Sequence, residues 1–195
     1  MKHALTLILT GLSISALAAE TATIELNAAK DTFGRSNNRN RNSGASVDLL
    51  LARDASVTSV VGFDLSVITN EIVGAAFSIR IQNTLPDPLN LTIAPMAQTP
   101  GNARWREGSG ALGVKGRNAL LGEATFQWRA FRDTPWEDAA GNPVVNMMDP
   151  KLWGSPVANL SRVKWSEGAW ISVPITNVGM LEDIRNADDP IVTYG

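Results

Sequence analysis

The chain has 195 residues, with 17 basic and 19 acidic side chains, 44% hydrophobic residues, no cysteine and a single histidine, His3. A net charge of −2 gives no reason to expect bulk binding to nucleic acid. Without cysteine, disulfides, thiolate nucleophiles and cysteine-held zinc or iron–sulfur centres are excluded.

The first nineteen residues read as an export signal. Lys2 and His3 precede an apolar stretch from Ala4 to about Ser15, and small residues stand at Ala16 and Ala18, so cleavage is expected after Ala18 or Ala19. The apolar stretch is shorter than the roughly 20 residues a bilayer requires, so the protein is expected to be delivered to the periplasm or beyond the cell, not held across a membrane. Removal leaves about 176 residues, one domain's worth, with 16 basic against 19 acidic side chains and a net charge of −3. It also removes the histidine, which excludes a Ser-His-Asp triad, histidine-held zinc and haem on histidine.

In chain order, short strands are expected between clusters of Gly, Pro, Asn and Asp, the spacing of an all-β sandwich or barrel. Period-two alternation predicts strands over Thr21–Asn27, Ser46–Arg53 and Val57–Leu65, the last half-buried, with Val57, Val61, Phe63 and Leu65 on one side. Val73–Ile81 and Leu89–Ala94 follow, separated by a two-proline turn, and then Ala124–Phe131, Val163–Trp165 and Ala169–Ile175. Gly108–Asn118 and Pro135–Pro156 read as long loops, and Arg35–Gly44, RSNNRNRNSG, as a run too polar for a core. Val178, Leu181 and Ile184 are at helical spacing and predict one short helix over Asn177–Asn186.

The order of motifs carries a resemblance. Lys30–Phe33 (KDTF), an Asn- and Gly-rich loop, Val60–Ser66 (VVGFDLS), Val73–Ile81 (VGAAFSIRI), Trp105–Gly110 (WREGSG) and Trp170–Val178 (WISVPITNV) resemble the DNRLRE domain family from about Lys30 to Val192. Phe63–Ser66 and Trp105–Gly108 are its most specific pieces. The resemblance implies a secreted, antiparallel jelly-roll β-sandwich of the carbohydrate-binding type, often found beside enzymes that degrade acidic polysaccharides such as alginate. It also implies one or two further strands after Ile191–Gly195, so the chain is expected to be truncated. Gly108–Thr134 is longer than the family's usual spacing.

Three sets of residues are candidates for binding. Arg35, Arg39 and Arg41 suit the carboxylates of an acidic glycan, guanidinium groups gripping them bidentately; the alternative is a solvated loop. Trp128, Trp136 and Trp153 lie in or beside loops and could stack on sugar rings or fill the core, while Trp105 and Trp170 read as core. Asp31, Asp64 and Asp188 are candidate oxygen ligands for a structural calcium ion, with turn roles as the alternative for Asp64 and Asp188. Acid pairs such as Glu107 with Glu123, or Asp133 with Glu137, could serve a glycosidase but read equally as surface charge. The expectation is a non-catalytic module for an acidic polysaccharide; the alternative is a structural or adhesive module meeting other cell-surface components.

Overall fold

The computed structural model describes residues 6–10, 22–51, 56–83, 88–111, 116–163 and 166–195. In chain order its strands are β1 (Thr6–Thr10), β2 (Thr23–Asn27), β3 (Lys30–Arg35), β4 (Arg41–Asn42), β5 (Val57–Asp64), β6 (Gly74–Arg80) and β7 (Leu89–Ile93). They continue with β8 (Arg117–Asn118), β9 (Trp128–Ala130), β10 (Thr134–Pro135), β11 (Ala158–Val163), β12 (Trp170–Ile175) and β13 (Ile191–Tyr194). A single turn of helix, α1, covers Pro100–Ala103, and α2 covers Val178–Arg185. The fold is all-β, and every strand pair is antiparallel.

Two larger sheets make the frame. One runs in the order β12-β6-β1-β2, the other β13-β5-β3, and the ribbon β11-β7 joins the second where Pro95 bridges to Tyr194. The main core lies between them. Leu26, Phe77, Val173 and Ile175 of the first sheet pack with Val61, Phe63, Val192 and Tyr194 of the second, and the Phe63 and Phe77 rings meet edge to face at 5.9 Å. Leu181 and Ile184 of α2 join the same core. That helix lies within the predicted span because Asn177 caps its start, accepting the Met180 N–H, and its apolar stripe has a core to cover.

A second core forms on the far face of β5. Val60 packs there with Trp105, Phe126, Trp136, Met147 and Leu152, most of them from the segments expected to be loops. Strand β5 is therefore covered on both faces, and Val60, Val61, Gly62 and Phe63 are all buried, not alternately buried as predicted.

Other predicted strands differ for local reasons. The alternating run Ser46–Leu51 is not a strand: Ser46 donates its N–H back to Ser43, Ala45 donates to Gly110, and among the described residues no strand pairs with it. Residues 52 and 53, the end of that predicted strand, lie outside the described residues. Of Ala124–Phe131 only β9 is strand, because Thr125 closes a tight turn by donating to Trp128. In the Val163–Trp165 region the strand runs earlier, as β11, with a register shift before Val163; residues 164 and 165 are outside the described residues.

Strand β1 belongs to the segment read as an export signal, yet it is interior, paired in register with β2 on one side and β6 on the other. Cleavage after Ala18 or Ala19 would remove it and leave the facing edges of β2 and β6 unpaired. Among the described residues no helix is long and apolar enough to cross a membrane.

Candidate functional site

The arginine–asparagine run is anchored by one of its own polar residues. Asn42 is fully buried. Its Nδ2 donates to the Glu107 carbonyl at 2.6 Å and the Ala124 carbonyl at 2.8 Å, and its Oδ1 accepts the N–H groups of Gly44 at 3.1 Å and Gly110 at 2.8 Å. Both donors and both acceptor positions are filled, which is why an amide tolerates a site with no water. Close approach does the rest: a Cβ on Gly44 would collide with the Glu107 carbonyl, and one on Gly110 with that of Asn42. The run expected to stay out of the core thus supplies Asn42, Ser43 and Gly44 to the interior.

This knot pulls the long segment after Trp105 against the run. Arg41 and Asn42 of β4 pair with Asn118 and Arg117 of β8, and Ala119 donates its N–H to Asn40. Arg41 donates to the Gly116 carbonyl at 3.2 Å. Arg39 is exposed and donates its Nε–H to Ser36, so its terminal nitrogens face outward from an anchored turn. Arg106, also exposed, has its guanidinium beside Gly122, in the turn over residues 120–123 that Glu123 closes by donating to Leu120. Arg35 closes β3 and is partly buried.

The carboxylates considered for acid–base chemistry are already engaged. Glu123, buried, accepts from the Leu120 N–H and from the Ser109 N–H and hydroxyl, and pairs with Arg117 at 2.7 Å; Arg117 also contacts the Ser109 hydroxyl. Burial pushes the Glu123 carboxyl upward, but these hydrogen bonds and the Arg117 charge outweigh it and leave the group below its ordinary value, ionised and occupied. Glu137 pairs with Arg129 at 3.0 Å and accepts the Thr99 hydroxyl at 2.9 Å. A second buried amide, Asn102, ties α1 to this pair, donating to the Ala97 and Glu137 carbonyls and accepting the Glu137 N–H. Lys30 donates to the carbonyls of Ala103 and Trp105 and lies 4.7 Å from the centre of the Trp105 ring. Desolvation lowers its ammonium to about 8, against the opposing pull of Asp189, so it is charged at neutral pH.

The tryptophans part company. Trp136 is fully buried, its Nε1 donating to Thr125, so its ring fills the second core and has no face for a ligand. Its polar neighbours in sequence point elsewhere, which is why it reads as a loop residue. Trp105 is core as expected, its Nε1 donating to Thr193. Trp128 is partly buried on β9. Trp153 is partly buried, donates to the Met147 carbonyl and stands in the wall of a cavity. Trp170, expected in the core, is 50% exposed on the edge strand β12, directly opposite exposed Arg80. Its place was readable from alternation: Val173 and Ile175 face inward, which turns Trp170, Ser172 and Pro174 out.

The three candidate calcium ligands are not gathered. Asp64 accepts the Ser66 N–H in a turn, Asp31 lies in β3, and Asp188 is exposed in the bend before Pro190. Among the described residues no group of three or more His, Cys, Asp or Glu side chains is gathered as a metal site.

A cavity of about 720 Å³ opens beside Gly195, walled by both sheets and the β11-β7 ribbon through Val57, Val61, Phe77, Ile79, Leu91 and Ile93. No protein-family model matches the chain, and no curated protein is significantly similar to it.

Proposed function

We propose that this is an exported, non-catalytic jelly-roll module that binds an acidic polysaccharide through the arginine face around β4 and β8. The observation that carries the reading is the anchoring of that face. Asn42 fixes β4 against the Glu107 and Ala124 carbonyls and the Gly110 N–H, and Ala119 donates to Asn40, so Arg39 and Arg106 stand beside backbone already held by hydrogen bonds. A site held in place before binding loses less conformational freedom when it takes a ligand. Guanidinium forks suit the carboxylates of a uronate chain, and the resemblance to DNRLRE domains agrees with such a ligand. Engagement of Glu123 and Glu137 in ion pairs supports a binding role over hydrolysis.

The test is calorimetry with alginate and with a neutral glucan. Arg39→Ala combined with Arg106→Ala is expected to weaken alginate binding about tenfold or more, since a charge-assisted hydrogen bond contributes on the order of 1.5–3 kcal/mol. Both side chains are exposed, so the fold should survive, and added salt should mimic the loss. Equal binding by parent and variant, or no alginate binding at low salt, refutes the reading. Leu120 and Leu121, exposed on the same turn, favour the second reading, an adhesive module meeting a protein partner. Export is checked separately, by mass spectrometry of the secreted chain, with an N-terminus at Ala19 or Glu20 expected.

A further inference from the structure

We propose that the exposed face of β12 and β6 at Trp170 and Arg80 is a binding site for one acidic sugar residue, its ring on the indole and its carboxylate on the guanidinium. The choice of an acidic glycan rests on the proposed function, but the site shares no residue with the arginine face. Trp170 and Arg80 are cross-strand partners, so they share one face of the sheet with their Cβ atoms about 5 Å apart. The face is fixed from beneath, because Ile171 and Val173 of β12 and Phe77 and Ile79 of β6 turn into the main core. The end of the strand pair beside Trp170 is tied as well: Ile81 donates its N–H to the Ala169 carbonyl and Gly168 donates to that of Ile81, each at 2.9 Å.

Both polar groups are unanswered. Among the described residues the Arg80 guanidinium has no ion pair and no hydrogen bond, in contrast to Arg117, Arg129 and Arg185, which pair with Glu123, Glu137 and Glu182. Trp105, Trp136 and Trp153 each donate their indole N–H within the protein, whereas that of Trp170 has no partner among the described residues, and Trp170 is 50% exposed. A large ring left half in water beside a free guanidinium suits a ligand with an apolar face and an anion at its edge. A uronate pyranose has both, in its C–H face and its carboxylate. The next row of the sheet holds the Ser172 and Ser78 hydroxyls, 3.0 Å apart, with Ser172 exposed to meet sugar hydroxyls, and the row after it Pro174 and Ala76. The side chains beside the ring are therefore short and leave room for a sugar chain. A neutral sugar would leave Arg80 unpaired. A peptide strand is disfavoured at this edge, because Pro174 has no N–H for a further ladder.

The full chain, isotope-labelled at its tryptophan indoles, is titrated by NMR with mannuronate trimer and with neutral mannose trimer. The Trp170 indole signal, assigned by its loss in Trp170→Phe, is expected to shift with the uronate trimer and to move far less with the neutral one. Arg80→Ala, at an exposed position, should leave the melting temperature unchanged and weaken the uronate titration at Trp170 about tenfold or more. Arg39→Ala combined with Arg106→Ala should leave that titration as it is in the parent. No shift at Trp170, an equal shift with the neutral trimer, or an Arg80→Ala titration equal to the parent's overturns the proposal. So does loss of the shift in the Arg39 and Arg106 variant, which would trace it to the arginine face. The two readings fail separately. Alginate binding that disappears in that variant, with no shift at Trp170, leaves only the arginine face; a Trp170 shift that survives it and is lost in Arg80→Ala stands even where the arginine face binds nothing.

Discussion

Around Asn42 and around Tyr194 the chain brings buried backbone together in opposite ways. At Asn42 there is almost no regular structure, only the two-residue pair β4 and β8, yet one amide meets four backbone groups from three segments and leaves nothing unpaired. At Tyr194 there is well-formed sheet on both sides, yet a 720 Å³ opening remains and a tyrosine hydroxyl is buried without a partner. Strand content is therefore a poor guide to how completely a region is determined. A loop whose hydrogen bonds are all made is as fixed as a sheet, and a sheet with an open edge is not finished.

The sharpest way to break this contrast is Asn42→Asp. It removes two donors and sets a carboxylate against the carbonyls of Glu107 and Ala124, so the loss of stability should be on the order of 4 kcal/mol, read from the urea midpoint. Glu123→Gln comes next, with a loss of about 2 kcal/mol, since its hydrogen bonds are made to a charged acceptor. Its pH dependence follows from the lowered folded value: the parent's stabilisation is complete above the ordinary carboxylate range and is lost as pH falls through the folded value, while the glutamine variant lacks that acid-side decline.

A paired experiment on β5 compares the two regions directly. Val60→Phe forces bulk into a site with no exposure and should cost about 1–3 kcal/mol, whereas Val57→Phe, beside the cavity, should change stability by less than about 0.5 kcal/mol. Equal costs at the two positions would show that the cavity closes in solution. A further effect is in alkali. Lys30 titrates near 8 when folded and higher when unfolded, so between about pH 8 and 10 the unfolded chain holds more protons and stability should rise with pH. Above that, Tyr194 reverses the trend: burial holds its hydroxyl well above the ordinary tyrosine range, the unfolded chain ionises first, and stability should fall. Lys30→Met should abolish the rise and leave the fall.

The sequence alone determined the all-β class, the positions of β2, β5, β6, β7 and β12 to within a residue or two, and α2. These are local matters: alternation and helical spacing report which way successive side chains point. They do not report what lies opposite. Val60 and Val61 look like opposite faces of a half-solvated strand until Trp105 and Trp136 arrive to cover the outer one. The same reason settles Trp136, open between sugar stacking and core and roofed by the second core, and turns Trp170, expected in the core, out from an edge strand. Asn42 is the plainest case. Its partners Glu107 and Ala124 are 65 and 82 residues away, and a polar side chain can be buried only where such partners converge. Tertiary structure decided that convergence, and with it the pairing of the arginine–asparagine run with the segment after Trp105.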